Sequence, residues 1–417
     1  MSSAPSPPSP PNTAPDETWL AGERQRLWSF ARGAVHPSGG FAWLDDSGVP
    51  ELERPVHAWL TCRMTHVAAL EVLQGNTEAQ AALDHGVRAL REVLRDAGHG
   101  GWFSAVDPST HEPVSSVKGC YDHAFVLLAA SSATAAGHPD GQAVLDDARE
   151  VFATHFWDET DGLAVESWDR GWRTPEDYRG ANANMHTVEA LLAVHEVTGD
   201  PVPRAQAARI VEHVVHGFAR GNDWRLPEHF TADWLPLLDY NRDHPADQFR
   251  PYGVTIGHLL EWSRLTLHLR TALGAAAPSW LLDDAVALFD TAVGIGWHAD
   301  GQDGFVYTTD FDATPVVRNR LHWVLAEGIG AAWALGRAVD DPSYGDWYAA
   351  WWAQAERYFI DRENGSWRHE LDQSNRPAAT VWAGKPDVYH AYQAALLPSL
   401  EPAASFAGAL RAAGSAR

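Results

Sequence analysis

The stretch GGWFSAVD, residues 100–107, recurs in altered form five more times along the chain. The other copies are GGFAWLDD (39–46), DGLAVESW (161–168), NDWRLPEH (222–229), DGFVYTTD (303–310) and NGSWRHEL (364–371). With Gly40, Gly101, Gly162, Asp223, Gly304 and Gly365 in register, the steps are 61, 61, 61, 81 and 61 residues. A fixed period marks a repeat architecture and has to be read before domains are counted.

Between the patches the pattern is helical and paired. RPVHAWLTCRMTHVAALEVL predicts a helix over about residues 56–73. TEAQAALDHGVRALREVLRDAG predicts its partner, with Thr77 as N-cap and Gly98 as terminator. The first member of each pair is nearly apolar all round, and the second carries a charged face. A helix of the first kind is buried and one of the second kind covers it. Six buried helices alternate with six covering ones, and the last returns to the first, which begins near Thr18. This predicts an all-α (α/α)6 barrel of twelve helices, closed so that neither end of the repeat is exposed. Each patch then leads from a covering helix into the next inner helix. Its alternation of residue types predicts short β-hairpins or loops at the active-site end.

The long step of 81 contains TADWLPLLDYNRDHPADQFRP (231–251). Long insertions of this kind form lids or loose loops, and Trp234, Tyr240 and Phe249 favour a packed lid. The expected organisation is a disordered Pro/Ser-rich tail over 1–16, a single catalytic domain over 17–401 and a flexible tail over 402–417.

Lys+Arg number 31 and Asp+Glu 55, a formal charge of -24. Such a surface releases no counterions from phosphates, so nucleic acid is not an expected partner. Anionic membranes are disfavoured too, and no run approaches the ~18 apolar residues of a membrane span. Cys62 and Cys120 lack metal-type spacing and are expected to be free buried thiols. A cytoplasmic protein, monomeric or a small homo-oligomer, acting on a neutral substrate is the reading that fits.

The inner helices start at one end, so their first two turns should converge on the barrel axis. The polar residues there are Arg63 and His66, Tyr121 and His123, Asn182 and His186, His258 and Glu261, Trp323 and Glu327, and Asp387 and His390. A lone histidine is usually structural. Here histidines recur at one level, and Glu261 and Asp387 stand three residues from His258 and His390. A carboxylate beside an imidazole fixes its tautomer and raises its basicity.

No phosphate-binding loop, dinucleotide fingerprint or nucleophile elbow is present. Glycoside hydrolysis would need two carboxyls across a cleft, and Glu261, Glu327 and Asp387 are candidates. Two of them stand beside histidines, however, where they would be ion-paired. No metal-ligand spacing occurs, and no metal or other cofactor is expected. Two imidazoles near neutrality suit proton transfer beside a carbonyl. Removing the C2 proton of an open-chain aldose gives an enediol, and returning a proton to C1 gives the ketose. Arg63 and His186 would hold the developing oxyanion.

The segments RMTHVAALE, GCYDHAF, NANMHTVEA, GHLLEWSRL, WVLAEGIGA and GKPDVYHAYQA together resemble the N-acylglucosamine 2-epimerase superfamily. Within it they look most like the bacterial aldose–ketose isomerases acting on mannose or sulfoquinovose. The resemblance runs over about residues 18–400. It implies the (α/α)6 barrel, catalysis without metal or nicotinamide, and His258 and His390 as the acid/base pair. It implies that Glu261 and Asp387 orient the pair or bind hydroxyls, and that Arg63 and His186 bind the oxygens at C1 and C2. Asn182, Tyr121, Trp323 and Glu327 would complete the pocket. Mannose–fructose interconversion is the expected reaction, with lyxose–xylulose as a side activity. The alternatives are a sugar 2-epimerase, a sulfoquinovose isomerase with Lys385 and Arg250 receiving the sulfonate, and, more remotely, a glycoside hydrolase.

Overall fold

A computed structural model describes residues 14–415. The tail expected over 1–16 lies outside the described residues except for its last three positions. The covering helices are α1 (Glu17–Ala31), α3 (Gln80–Glu92), α5 (Gly141–Val151), α7 (Pro201–Val211), α9 (Trp280–Gly296) and α11 (Ser343–Gln354). The inner helices are α2 (Ala58–Leu73), α4 (Cys120–Ala135), α6 (Ala181–Thr198), α8 (Ile256–Leu273), α10 (His322–Ala338) and α12 (Tyr389–Leu396). The all-α class and the strict alternation expected of an (α/α)6 fold are therefore observed. In α2 every residue from Ala58 to Glu71 is buried, and in α8 every residue from Ile256 to Leu269. The start of α3 differs in detail from the expectation. A tight turn at Thr77–Ala79 precedes it, and Asn76 rather than Thr77 accepts the N–H of Glu78.

One expectation fails. The segment after residue 402 is no loose tail, because Phe406–Ser415 forms a thirteenth helix, α13, among the described residues. Phe406, Ala407, Gly408 and Leu410 are buried, and α13 packs on α2, α4 and α6. Its small residues, which read as a fraying end, permit close approach. A Cβ on Gly408 would stand 2.1 Å from the Glu196 carboxylate. Arg411 donates to the carbonyls of Val197 (3.1 Å) and Glu196 (2.7 Å). A cation there closes carbonyls that the end of α6 leaves unpaired.

The helices group into two compact units, each assembled from separated stretches. One comprises Ser29–Val211, Pro386–Tyr389 and the chain from Leu400 onward, and holds α2–α7 and α13. In it α2 packs on α4 and α4 on α6, each with its own covering helix. The other comprises the described residues up to Trp28, Glu212–Lys385 and His390–Ser399. There α8 packs on α9 and α10, and α10 on α11. Arg24 of α1 donates to the carbonyl of Ala395 in α12 at 2.8 Å, so the first helix does meet the last inner one.

The patches are caps built from backbone. Two-residue strands lead straight into the inner helices, and each pairs antiparallel with the following patch. Val56–His57 pairs with Ala105–Val106, and Lys118–Gly119 with Ser167–Trp168. In the other unit Val254–Thr255 pairs with Thr308–Thr309, and Arg320–Leu321 with Glu370–Leu371. The first amide of the helix then donates to a patch carbonyl: Ala58 to Ser104, Cys120 to Glu166, Ile256 to Tyr307 and His322 to His369, at 2.8–3.1 Å. No side-chain cap is used at these four helices. The orphan amide of a helix start needs some partner, and the repeat supplies one.

The residues in register all adopt the left-handed backbone: Gly40, Gly101, Gly162, Gly304 and Gly365 have φ between 67° and 104°, and Asp223 has 53°. Aspartate tolerates this region better than most residues. At Gly101 an added Cβ would lie 2.6 Å from Trp172 and 2.7 Å from His123. Gly101→Ala is therefore expected to destabilise the protein by about 2 kcal/mol or more, measured by denaturant unfolding. An unchanged midpoint would show that the turn yields freely.

Candidate active site

In the α8–α11 unit the strand-to-helix junctions hold the first-turn side chains at a common level. His258, on the first turn of α8, is 7% exposed. Its Nδ1 lies 3.0 Å from Oε2 of Glu228, a residue of the fourth patch. The ring N–H is out of line with the carboxylate, so the contact is an ion-pair approach and not a formed hydrogen bond. His390, on α12, is equally buried, and its Nδ1 is hydrogen-bonded to Glu327 Oε1 at 2.8 Å. Glu327 Oε2 accepts from Nε of Arg264 at 2.8 Å, and the same guanidinium stands 3.8 Å from Glu261.

Trp323 lies against both imidazoles, with ring centroids 5.3 Å from His258 and 5.8 Å from His390. Gly257 makes room for that indole, since a Cβ there would approach it to 2.2 Å. The two histidines expected to act together are thus gathered around one tryptophan. In each, a carboxylate faces Nδ1 and so favours the tautomer with the proton on that nitrogen. His322 and His369 stack at 3.8 Å, and His322 stands edge-on to His390 at 6.4 Å. That pair was not anticipated; the two histidines come from an inner helix and a distant patch.

In the α2–α7 unit Arg63 is buried and donates to Asp387 Oδ2 at 3.2 Å and to the Tyr121 hydroxyl at 3.1 Å. Its guanidinium lies over the rings of Phe125, Tyr389 and Trp59 at 4.6, 4.8 and 5.1 Å. Burial opposes its charge, but Tyr121, Asp387 and Tyr389 outweigh that and hold the guanidinium protonated above its ordinary range. His186 Nδ1 lies 3.4 Å from Glu189 Oε2, which also accepts the Tyr389 hydroxyl proton. The Tyr121 and His186 rings meet edge to face at 5.3 Å. Asn182 is half-buried on the first turn of α6.

Two carboxylates do other work than the spacing suggested. Glu261 and Asp387 stand three residues from His258 and His390, yet the acids against Nδ1 are Glu228 and Glu327. Asp387 precedes α12, which begins at Tyr389, so helical spacing does not apply to it. It accepts the Tyr389 N–H at 2.9 Å and pairs with Arg63. Glu228 was missed because it sits on a patch, where no helical period points to it.

Other polar residues at this level are structural. His123 takes the Gly119 carbonyl on Nδ1 (2.6 Å) and the Trp102 amide on Nε2 (3.0 Å), and burial pushes its pKa down to about 3. His66 bonds Ser132 at 2.7 Å, and burial lowers it to about 4. Both cysteines are free and buried, and burial raises their thiols. Lys385 Nζ is taken by Asp361 (2.7 Å) and the Gly365 carbonyl (3.0 Å), so it is committed within the fold. Glu261, Glu327 and His390 each place one possible ligand atom within 4.8 Å of the others. Arg264 already stands against both carboxylates of that group, and a cation would have to displace it. In the insertion, Tyr240 packs on His229 (4.6 Å), Phe249 on Trp382 (5.7 Å) and Trp234 on Phe230 (5.4 Å), so it is packed as expected.

Asp122, on the first turn of α4, is buried with Oδ1 unpartnered. Burial raises its carboxyl to about 6, against hydrogen bonds from Ser104 and Trp59 that lower it. Between about pH 4 and 6 the folded state keeps a proton that the unfolded chain has released. Stability is therefore lost as pH rises through that window, by about 3 kcal/mol in full. Asp122→Asn should raise the melting temperature at pH 8 and have little effect at pH 4, checked by thermal unfolding at both.

Comparison with known proteins follows the same lines. The N-acylglucosamine 2-epimerase (GlcNAc 2-epimerase) family model matches residues 39–394. A D-mannose isomerase of Thermobifida fusca is 54% identical, covering 96% of this chain and 98% of that protein. One from Pseudomonas cannabina pv. alisalensis is 48% identical over 94% of each. A crystal structure of a D-mannose isomerase, 30% identical, superposes with a TM-score of 0.85 over 91% of this chain and 97% of its own. A cellobiose 2-epimerase from Spirochaeta thermophila, 22% identical, shares the fold with a TM-score of 0.80 over 96% and 97%. Among the described residues no helix is long and apolar enough to cross a membrane.

Proposed function

The chain belongs to the N-acylglucosamine 2-epimerase family, and from that premise we propose that it is a D-mannose isomerase, interconverting free D-mannose and D-fructose. One observation carries the reading: two buried imidazoles flank Trp323, each with a carboxylate facing its Nδ1. That is a pair suited to moving protons at a sugar carbonyl.

In this mechanism His390 carries the O1 proton to the ring oxygen as the pyranose opens. His258 Nε2 then removes the C2 proton. The C2–H electron pair forms the C1–C2 double bond, and the carbonyl pair moves to O1. The proton returns to C1 while O2 becomes the carbonyl and its proton passes to O1. Glu327 holds His390, and Glu261 and Trp323 complete the surroundings of the pair. We assign Arg63, Tyr121, Asn182, His186 and Asp387 to recognition of sugar oxygens, a role their own polar cluster supports. D-Lyxose, which is mannose without C6, is the expected secondary substrate. With Lys385 held by Asp361, a neutral sugar suits the site better than a sulfonated one.

The test is incubation with D-mannose and EDTA in deuterium oxide, followed by NMR. Fructose carrying solvent deuterium at C1 supports the proposal. Glucose without fructose would make the protein a 2-epimerase, and no product from mannose, lyxose or sulfoquinovose would reject isomerase chemistry.

A further inference from the structure

The buried carboxylates in the α8–α11 unit divide into two kinds. Asp300 is held by both terminal nitrogens of Arg320, at 2.9 and 2.7 Å. Asp361 is held by Lys385, and Glu370 accepts the amides of Thr380, Val381 and Trp382. Each of these has a full set of donors, as a buried charge requires. Glu228 has none. It is 4% exposed, and both carboxylate oxygens are buried without a hydrogen-bond partner. What stands against it is Nδ1 of His258 at 3.0 Å.

We infer that Glu228 is the positioning residue of the proton-shuttling histidine: it holds His258 with its proton on Nδ1 and supplies the counter-charge when Nε2 takes the C2 proton. This rests on the acid/base reading above. A carboxylate that faces only a neutral imidazole in the resting protein meets an opposite charge when that imidazole becomes a cation. Its stabilisation is thus concentrated at the step in which the proton is carried, which is what speeds a reaction. The same division of labour holds for the buried aspartate of serine-protease triads.

The neighbours support the assignment. His229 adjoins Glu228, but its Nε2 bonds the Pro251 carbonyl at 2.8 Å, and burial lowers its pKa. Burial thus favours its uncharged form, and Arg250, from the insertion, is a further charge acting on it. Trp323, from α10, adds no ionisable group. Glu327, by contrast, shares its charge between His390 and Arg264. The unshared carboxylate belongs to His258, and this marks His258 as the residue that carries the proton.

The experiment compares Glu228→Gln, Glu228→Asp and His258→Ala in the full-length protein. Glu228→Gln keeps size and loses charge. It should lower kcat by about 100-fold or more with KM little changed. The acidic limb of its kcat/KM profile should move to lower pH, because the imidazolium has lost its counter-charge. Its melting temperature should hold or rise, since a poorly satisfied buried charge is gone. Glu228→Asp keeps the charge and should leave the acidic limb in place while recovering part of kcat. A Glu228→Gln protein with wild-type kcat and an unmoved limb overturns the role. So does a variant that melts lower yet turns over normally per folded molecule. If His258→Ala is inactive in either case, the acid/base reading survives and only the Glu228 role falls. A fully active His258→Ala overturns both.

Discussion

Alanine at His390 or at His258 lowers kcat by about 1,000-fold or more and leaves the protein folded. A positioned general acid or base contributes of order 10²–10⁴ in rate. Each histidine here has its own proton to move, so neither loss is covered by the other. The fold survives because the partners are not stranded. Without His390, Glu327 keeps the guanidinium of Arg264 at 2.8 Å. Without His258, the small cavity beside Trp323 can take water that satisfies Glu228. The two variants should differ in one readout: His258→Ala should stop deuterium entering C1 and C2, whereas His390→Ala should still exchange on sugar that is already open. A variant turning over at near wild-type rate removes that histidine from the mechanism.

The second large effect is on stability. Arg264 is 2% exposed and stands between Glu327 and Glu261. Arg264→Met should cost about 3–5 kcal/mol, the usual cost of stranding a buried charge. Denaturant unfolding reads it directly. Adding Glu327→Gln to the same chain should restore much of the loss, because the stranded charge is then gone. If Arg264→Met unfolds at the wild-type midpoint, the guanidinium is not what compensates these buried acids.

The helical layout was legible because burial writes itself into residue type. Helices such as α2 and α8, buried along most of their length, read as apolar throughout, and the left-handed turn demands glycine at five of six places. The C-terminal helix was not legible, because Gly408 and its alanines look like disorder unless Glu196 is known to lie beneath them. At the candidate site, His258, His390, Arg63 and His186 were picked out by their level on the inner helices, and the first two do lie against one tryptophan. Their carboxylate partners were misread where the partner lies outside the helix. Glu228 is on a patch, and Asp387 lies before the first turn of α12. Periodicity reports neighbours along one helix and is silent about a residue delivered by a loop.

Helix α13 has a consequence for synthesis on the ribosome. The unit containing α2–α7 has most of its chain by Val211, but its remaining pieces begin only at Pro386, and α13 follows Leu400. At about 5–20 residues per second, the nascent chain waits roughly 10–40 s between those points. Through that interval the apolar ends of α2, α4 and α6 lack their cover, so the half of the protein made first is the last to be sealed. Chaperone dependence should therefore concentrate in this half, and a stop codon before Phe406 should leave it open to protease.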